Sequence, residues 1–288
     1  MQFVPTEKAS TIRYPSIANL MVDSQDRDPA SYPLCSDFQI IKKNSLLNGF
    51  FTRVGATEVV FEWNTPNVSA RLGNNQVNYT AAGILYNLVV PSGFYTCEQA
   101  IDEIKDTLQS ASGATGVTWT SAGLVGAGAV LQATGPPGTA IFVTGLLLNQ
   151  LNQNGLIGTI PAGGVLTFEI LGSTADLRPA RYIDIVCNQL TNNQSVKDAS
   201  TAENVRDVLV RWYFDYDNQT PTDAYGFPIL MGYTPFYLRR LYNPPKQIQW
   251  QTNIPIGNLS FQLYRNDGQL MPVNDNTDYL MTLQISEN

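Results

Sequence analysis

Proton transfer and cation binding in this chain fall almost wholly to its carboxylates. The 288 residues include 24 Asp and Glu, 17 Lys and Arg, three cysteines and no histidine. Without histidine there is no Ser-His-Asp or Cys-His activation, no zincin-type zinc site and no imidazole pH switch. Paired carboxylates remain, because glycoside hydrolysis needs two Asp or Glu and no other side-chain type. Asp215 and Asp217, two apart and so on one face of an extended segment, form one candidate pair; Glu62 with Asp184 is another. Acidic pairs of this kind are more often solvated strand ends, so the chain is read as having no catalytic residues. A glycosidase built on Asp215 and Asp217 is the weakest of the readings kept open.

Cation and cofactor signals are equally thin. Asp215-Tyr-Asp217-Asn218 lacks the glycine and distal glutamate of an EF-hand, and Asn274 to Asp278 (NDNTD) is only loosely ligand-like. Turn chemistry accounts for both. Gly123, Gly126 and Gly128 do not form GxGxxG, and neither GxxxxGK[ST] nor GxSxG occurs, so no cofactor is expected. Cys35, Cys97 and Cys187 have no metal or redox spacing and suit folding in a reducing compartment. Asn67, Asn78, Asn193, Asn218 and Asn258 head Asn-x-Ser/Thr triplets, which stay unmodified in a chain that carries no secretory signal. The first ten residues have no apolar core, and the longest apolar runs, such as Ile141–Val143, fall far below the roughly 18 residues of a membrane span. A soluble protein folded in the cytoplasm, with no transmembrane segment, is expected. A net charge of −7 argues against sequence-specific or phosphate-driven binding of nucleic acid.

The remaining residues with interaction chemistry are aromatic. Tyr225, Phe227, Tyr233, Phe236, Tyr237 and Tyr242 crowd a proline-broken segment that also holds Arg239 and Arg240. Aromatics with arginine are enriched at interface hot spots, which makes these eight the candidate inter-subunit contact. A long loop folded over one end of a sandwich would need the same aromatics as anchors.

The elements that must position these residues are mostly strands. Val59, Phe61 and Trp63 share a face; Ile84–Val90, Val165–Ile170, Tyr182–Cys187 and Val208–Phe214 are β-branched and aromatic runs. Leu259, Phe261 and Leu263, then Tyr279, Met281, Leu283 and Ile285, alternate with more polar partners, separated by Asn266-Asp267-Gly268. One helix is expected over about 97–111, resting on a sheet. Thr96 and Gln99 have capping-box spacing, Cys97, Ile101, Ile104 and Leu108 form its apolar stripe, and Ser112-Gly113 should end it. Asn188 to Arg206 reads as a long exposed polar loop. Short strands with turn-rich connections and one helix make this an all-β chain, with the single jelly-roll β-sandwich as the expected architecture.

Charge is missing from Thr107 to Phe168, 62 residues that hold 12 of the 22 glycines. Such a stretch either packs against a neighbouring copy or presents a neutral solvent face of a β-rich insertion. The expected division is a jelly-roll domain of residues 1–90 and 165–288, with an insertion domain at 91–164 carrying the helix and the charge-free region.

Three stretches together resemble a known family. Asn19-Leu-Met-Val-Asp-Ser-Gln-Asp-Arg27 resembles the opening strand of small jelly-roll capsid proteins. Leu88-Val-Val-Pro-Ser-Gly-Phe-Tyr-Thr-Cys-Glu-Gln-Ala-Ile101, running on to Val117-Thr-Trp119, is similar to a strand, Pro-x-Gly-x-Tyr-Thr and capped-helix element in them. Leu259-Ser-Phe-Gln-Leu-Tyr-Arg-Asn-Asp-Gly-Gln-Leu270 and the ending Ile285-Ser-Glu resemble their closing strands. The family is that of the penton, or vertex, minor capsid proteins of virophages, Polinton-like viruses and related double-stranded-DNA viruses. The resemblance implies a structural virion protein, not an enzyme. It would form homopentamers at the five-fold vertices of an icosahedral capsid, beside the major capsid protein. It also implies an outward insertion, through which a host receptor is a candidate partner, and folding in the host cytoplasm or virus factory before assembly. The alternative kept beside it is a receptor- or carbohydrate-binding spike or fibre protein on a β-sandwich.

Overall fold

The computed structural model describes residues 17–41, 53–124, 128–151, 153, 155–171, 175–191, 208–214, 221–243, 247–249, 256–274 and 277–286. In chain order, β1 (Ile17–Asp23), β2 (Asp37–Ile41) and β3 (Arg53–Trp63) come first. They are followed by β4 (Gln76–Ala81), β5 (Ile84–Val89), α1 (Cys97–Ser110), α2 (Ser112–Thr115), β6 (Thr118–Gly123) and β7 (Gly128–Thr134). Next are β8 (Ala140–Thr144), α3 (Leu146–Gln150), β9 (Leu156–Thr159), β10 (Val165–Leu171), β11 (Tyr182–Val186) and α4 (Asn188–Thr191). The chain closes with β12 (Val208–Tyr213), β13 (Phe236–Leu241), β14 (Ile248–Gln249), β15 (Asn258–Arg265) and β16 (Tyr279–Ser286).

Two antiparallel sheets make a jelly roll. One has the order β1-β16-β3-β13, with β14 also on β3; the other has the order β12-β11-β15-β2. Read along the chain, β1, β2 and β3 alternate between the two sheets, β11 and β12 pair as neighbours in the second, β13 and β14 return to the first, and the last strand inserts between the first and third. This is the all-β jelly roll expected from the sequence. The alternation in β15 and β16 works as the period-2 rule requires: Leu259, Phe261, Leu263, Tyr279, Met281, Leu283 and Ile285 are all buried. Between the sheets lies an aromatic cluster, with Phe61 stacked 5.0 Å from Trp212 and 5.6 Å from Tyr279, and Phe214 set edge-on to Trp63 at 5.2 Å.

The chain between β3 and β11 builds most of a second buried cluster, to which the β12–β13 connection adds Phe227, Leu230 and Tyr233. Two further sheets, β5-β4-β8-β9 and β10-β7-β6, enclose it together with α1. Thr96 accepts from the Gln99 amide at 3.2 Å while the Gln99 side chain accepts from the Thr96 amide at 3.0 Å, so the capping box forms. Cys97, Ile101, Ile104 and Leu108 are all buried, as the stripe predicts. α1 ends at Ser110 with Ala111 as its cap, as expected, but a further helical turn follows. Ser112-Gly113 opens α2, and Gly116 supplies the left-handed residue that ends it, at φ 68°. Asn188 also departs from the loop expected there: it starts α4, where Leu190 and Thr191 are buried and the Thr191 hydroxyl donates to Cys187 O at 2.8 Å. Residues 192–206 lie outside the described residues. No helix among the described residues is long and apolar enough to cross a membrane.

Candidate interaction surface

The connection from β12 to β13 leaves the jelly roll and enters the second cluster, and its aromatics divide along the way. Asp223 organises the first turn. Its Oδ1 accepts from the amides of Tyr225 at 3.1 Å and Phe227 at 2.9 Å, and Gly226 takes the positive φ of 81° that the turn needs. Its Oδ2 accepts from the Glu98 amide at 2.9 Å, in the first turn of α1, where the helix dipole favours a carboxylate. Glu98 answers by accepting from the Ala224 amide at 2.8 Å. Two carboxylates thus clamp loop to helix through backbone N–H groups.

Tyr225 lies over Gly123, where a Cβ would stand 2.8 Å from its ring. The Tyr225 hydroxyl donates to Asp102 Oδ1 at 3.0 Å, which also accepts from Ser121 at 2.6 Å. Phe227 and Tyr233 are fully internal, at 0% and 1% exposure. The Tyr233 oxygen accepts from the Leu177 amide at 3.0 Å and lies 3.7 Å from Cys97 Sγ. Burial pushes this hydroxyl well above the usual tyrosine range, and Cys97 beside it adds to the effect.

Past Gly232 the chain returns to the jelly roll as β13, an edge strand. Phe236 stacks on Trp63 at 5.9 Å. Tyr237 and Leu241 point outward, 69% and 63% exposed. Arg239 pairs across the strand with Glu58 and keeps 63% of its side chain exposed. Arg240 donates to Tyr213 O at 3.4 Å, and the Tyr242 hydroxyl donates to Arg211 O at 3.3 Å. Of the eight residues singled out by composition, Tyr225, Phe227, Tyr233, Phe236 and Tyr242 are therefore anchors, wholly or partly buried. Tyr237, Arg239 and Arg240 remain on the surface of the edge strand.

Among the described residues the candidate acidic sites do not assemble. Glu62 is exposed on β3, whereas Asp184 lies in the opposite sheet, where Arg211 Nε and Nη2 hold it at 2.6 and 2.9 Å. Asp215 and Asp217 lie outside the described residues. Of Asn274 to Asp278, positions 275 and 276 are also outside. Asp278 is taken by Arg27 and by the Ser24 hydroxyl at 2.8 Å. Thr277 donates to Asn64, and Asn274 is held by Thr65 and Asn64. Asn67 is buried and exchanges hydrogen bonds with the Tyr95 backbone, while Asn78 and Asn258 are exposed. All three cysteines are buried free thiols, and burial pushes each up to about 12.

Sequence reading missed the Asp223–Glu98 clamp. Its signal was the Asp223-Ala-Tyr-Gly226 turn pattern, but nothing local says that the turn caps a helix more than a hundred residues earlier.

No protein-family model and no curated protein matches the chain. Among solved structures it is similar to the penton protein of mavirus, at 12% identity and a TM-score of 0.48, over 95% of this chain and 100% of that one. It is also similar to a chain of the Sputnik virophage structure, at 12% identity and a TM-score of 0.44, over 94% of this chain and 97% of that one. At this identity and overlap the likeness carries no function over to this chain.

Proposed function

We propose that this chain is a structural virion protein of the penton type. Five copies would close into a ring at the five-fold vertices of an icosahedral capsid, beside the major capsid protein. The observation that carries the reading is the complete single jelly roll with one long excursion, between its third and fourth strands. A jelly roll by itself hosts many functions, so the three motif stretches narrow the choice. They fall where the resemblance asks: Asn19–Arg27 runs through β1, Leu88–Trp119 runs from the end of β5 through α1 into β6, and Leu259–Leu270 contains most of β15.

A ring is a heterologous, closed assembly, so each copy needs two unlike adhesive sides. The outer strands of the five-stranded sheet differ in this way. On β1, Ile17 and Met21 are 63% and 66% exposed; on β13 the outward row is Tyr237, Arg239 and Leu241. Long apolar edge strands left uncovered promote uncontrolled pairing, which a closed ring prevents. We assign the jelly-roll body to residues 17–63 and 182–286, apart from the β12–β13 connection that enters the second cluster, and the projecting insertion to the chain between them. That is wider than 91–164, because β4 and β5 pair within the second sheet system.

Native mass spectrometry of the purified protein tests this, alone and with the major capsid protein. A mass of five copies, or entry into particles on co-expression, is expected. A stable trimer that never joins particles would refute it and favour the spike or fibre reading.

A further inference from the structure

The sheet β5-β4-β8-β9 has an outer face that nothing among the described residues covers. Its register places Leu85 opposite Thr80, Thr80 opposite Phe142 and Phe142 opposite Ile157, one row across all four strands. Leu85, Phe142 and Ile157 are 63%, 47% and 59% exposed, and Val89 adds 61% on the same face of β5. A second row, Asn87–Asn78–Thr144, lines it with neutral hydrogen-bonding groups. The opposite face, with Val77, Tyr79, Ala81, Ile141, Val143 and Leu156, fills the second buried cluster. Folding of this unit therefore does not account for the outer row.

Two properties of the face narrow what would cover it. Residues 72–97 and 107–168 contain no Asp, Glu, Lys or Arg, so none of the four strands carries a charge, in a protein of net charge −7. A partner recognised by charge finds nothing to pair with here. Two like-charged copies approach with least repulsion through such a face. The second property is the order of sizes along the row: large Leu85, small Thr80, large Phe142, large Ile157. A two-fold axis along the strand direction, between β4 and β8, reverses that order on the facing copy. Leu85 then meets Ile157, and each Phe142 ring stands over the small Thr80 of the other copy. Bulk faces hollow twice, as an isologous contact requires. Sheets stacked this way lie about 10 Å apart with strands roughly aligned.

We propose that this uncharged sheet face is a self-association surface, on which a second copy of the chain docks about that two-fold axis. Four strands about 4.8 Å apart and some six residues long offer only about 400 Å² per copy, below the roughly 800 Å² per partner of a stable complex. The pair is therefore weak between single chains. It becomes strong where several copies present the face together, as two stacked rings would. The contact does not depend on the penton reading, because an isologous pair forms with or without a ring.

Native mass spectrometry and sedimentation velocity, run up to about 100 µM, where so small a contact is populated, separate the two ideas by number. Even assemblies are expected from the wild type: a dimer if there is no ring, ten copies if there is one. Phe142→Asp should halve the mass in either case, to one copy or five. Leu85→Glu should do the same, and both variants keep the wild-type circular dichroism because both side chains are exposed. Odd assemblies only in the wild type, or unchanged masses in both folded variants, would overturn the proposal. Multiples of five report on the ring whichever way the parity falls.

Discussion

Replacing Asp223 with alanine removes three acceptor contacts at once, from the amides of Glu98, Tyr225 and Phe227. A hydrogen bond to a charged group contributes about 1.5–3 kcal/mol net. Asp223 is half-buried, so the lower end applies, and three coupled bonds add less than threefold. The Phe227 amide adjoins a fully internal ring and has the poorest route to replacement water. A loss of about 3 kcal/mol follows, confined to the second buried cluster. For a unit of this size that corresponds to a fall of roughly 10 °C or more in its melting temperature. Asp223→Asn keeps one acceptor oxygen for the turn amides and gives up the charge, so about 1 kcal/mol is expected. Urea unfolding followed by hydrogen exchange locates the change. Peptides spanning Glu98 and the 223–233 turn should exchange faster, while β15 and β16 stay protected. A loss below about 1 kcal/mol in Asp223→Ala, or one equal to that in Asp223→Asn, would refute the clamp.

Two further predictions are simpler. With all three thiols pushed up to about 12 by burial, the thiolate fraction at pH 8 is about one in ten thousand. A thiol reagent should therefore label no cysteine in the folded protein and three in denaturant, and rapid labelling of any native thiol would contradict the packing. Asp176 offers a pH test. Burial would raise its carboxyl, but the hydrogen bonds and charge of Arg178, with Arg181 nearby, outweigh that and hold it below the usual range. Its folded pKa is depressed, so its stabilisation is present above the unfolded carboxylate pKa and lost as pH falls through the folded value. Asp176→Asn should lose about 1 kcal/mol at pH 7, and the gap to wild type should close in strong acid.

How much of this was legible depended on whether a residue's partner is local. The capping box of α1 joins residues three apart, and it forms as the spacing says. The alternation in β15 and β16 was equally plain, because each has one face in the core and one turned away. The strands from Tyr182 and Val208 were also visible as apolar runs, and their pairing explains the run: Asp184 and Arg211, the polar interruptions, sit opposite each other. Where the excursion from the jelly roll begins was not legible. Ile84–Val89 reads like any apolar strand, and only its pairing with β4 assigns it to the second sheet system. The end of α1 was legible to within a residue, but the short α2 that follows it was not: Gly113 lies inside that turn of helix, and Gly116 has the positive φ that ends it. The aromatic segment was the hardest case. Composition marks Phe227 and Tyr237 alike, but one is internal and the other 69% exposed, and only the path of the loop separates them.

That path also bears on how the excursion is carried. A unit inserted into a strand connection, here after β3 and before β11, is free to hinge on its two chain crossings unless other contacts hold it. The β12–β13 connection adds an attachment. It leaves the jelly roll after Phe214, places Phe227, Leu230 and Tyr233 in the second cluster, and returns as β13. Hydrogen bonds fix it at both chain directions of approach: Tyr233 to Leu177 near the exit toward β11, and Asp223 to Glu98 at the start of α1. Phe94, packed against the jelly-roll core, and Arg71, which donates to Val273 O at 2.6 Å, hold the excursion further. Loosening the Asp223 turn should therefore weaken one of several attachments and leave the others in place. The aromatic segment thus serves as an attachment between the jelly roll and the second cluster, with Phe227 and Tyr233 as its buried anchors.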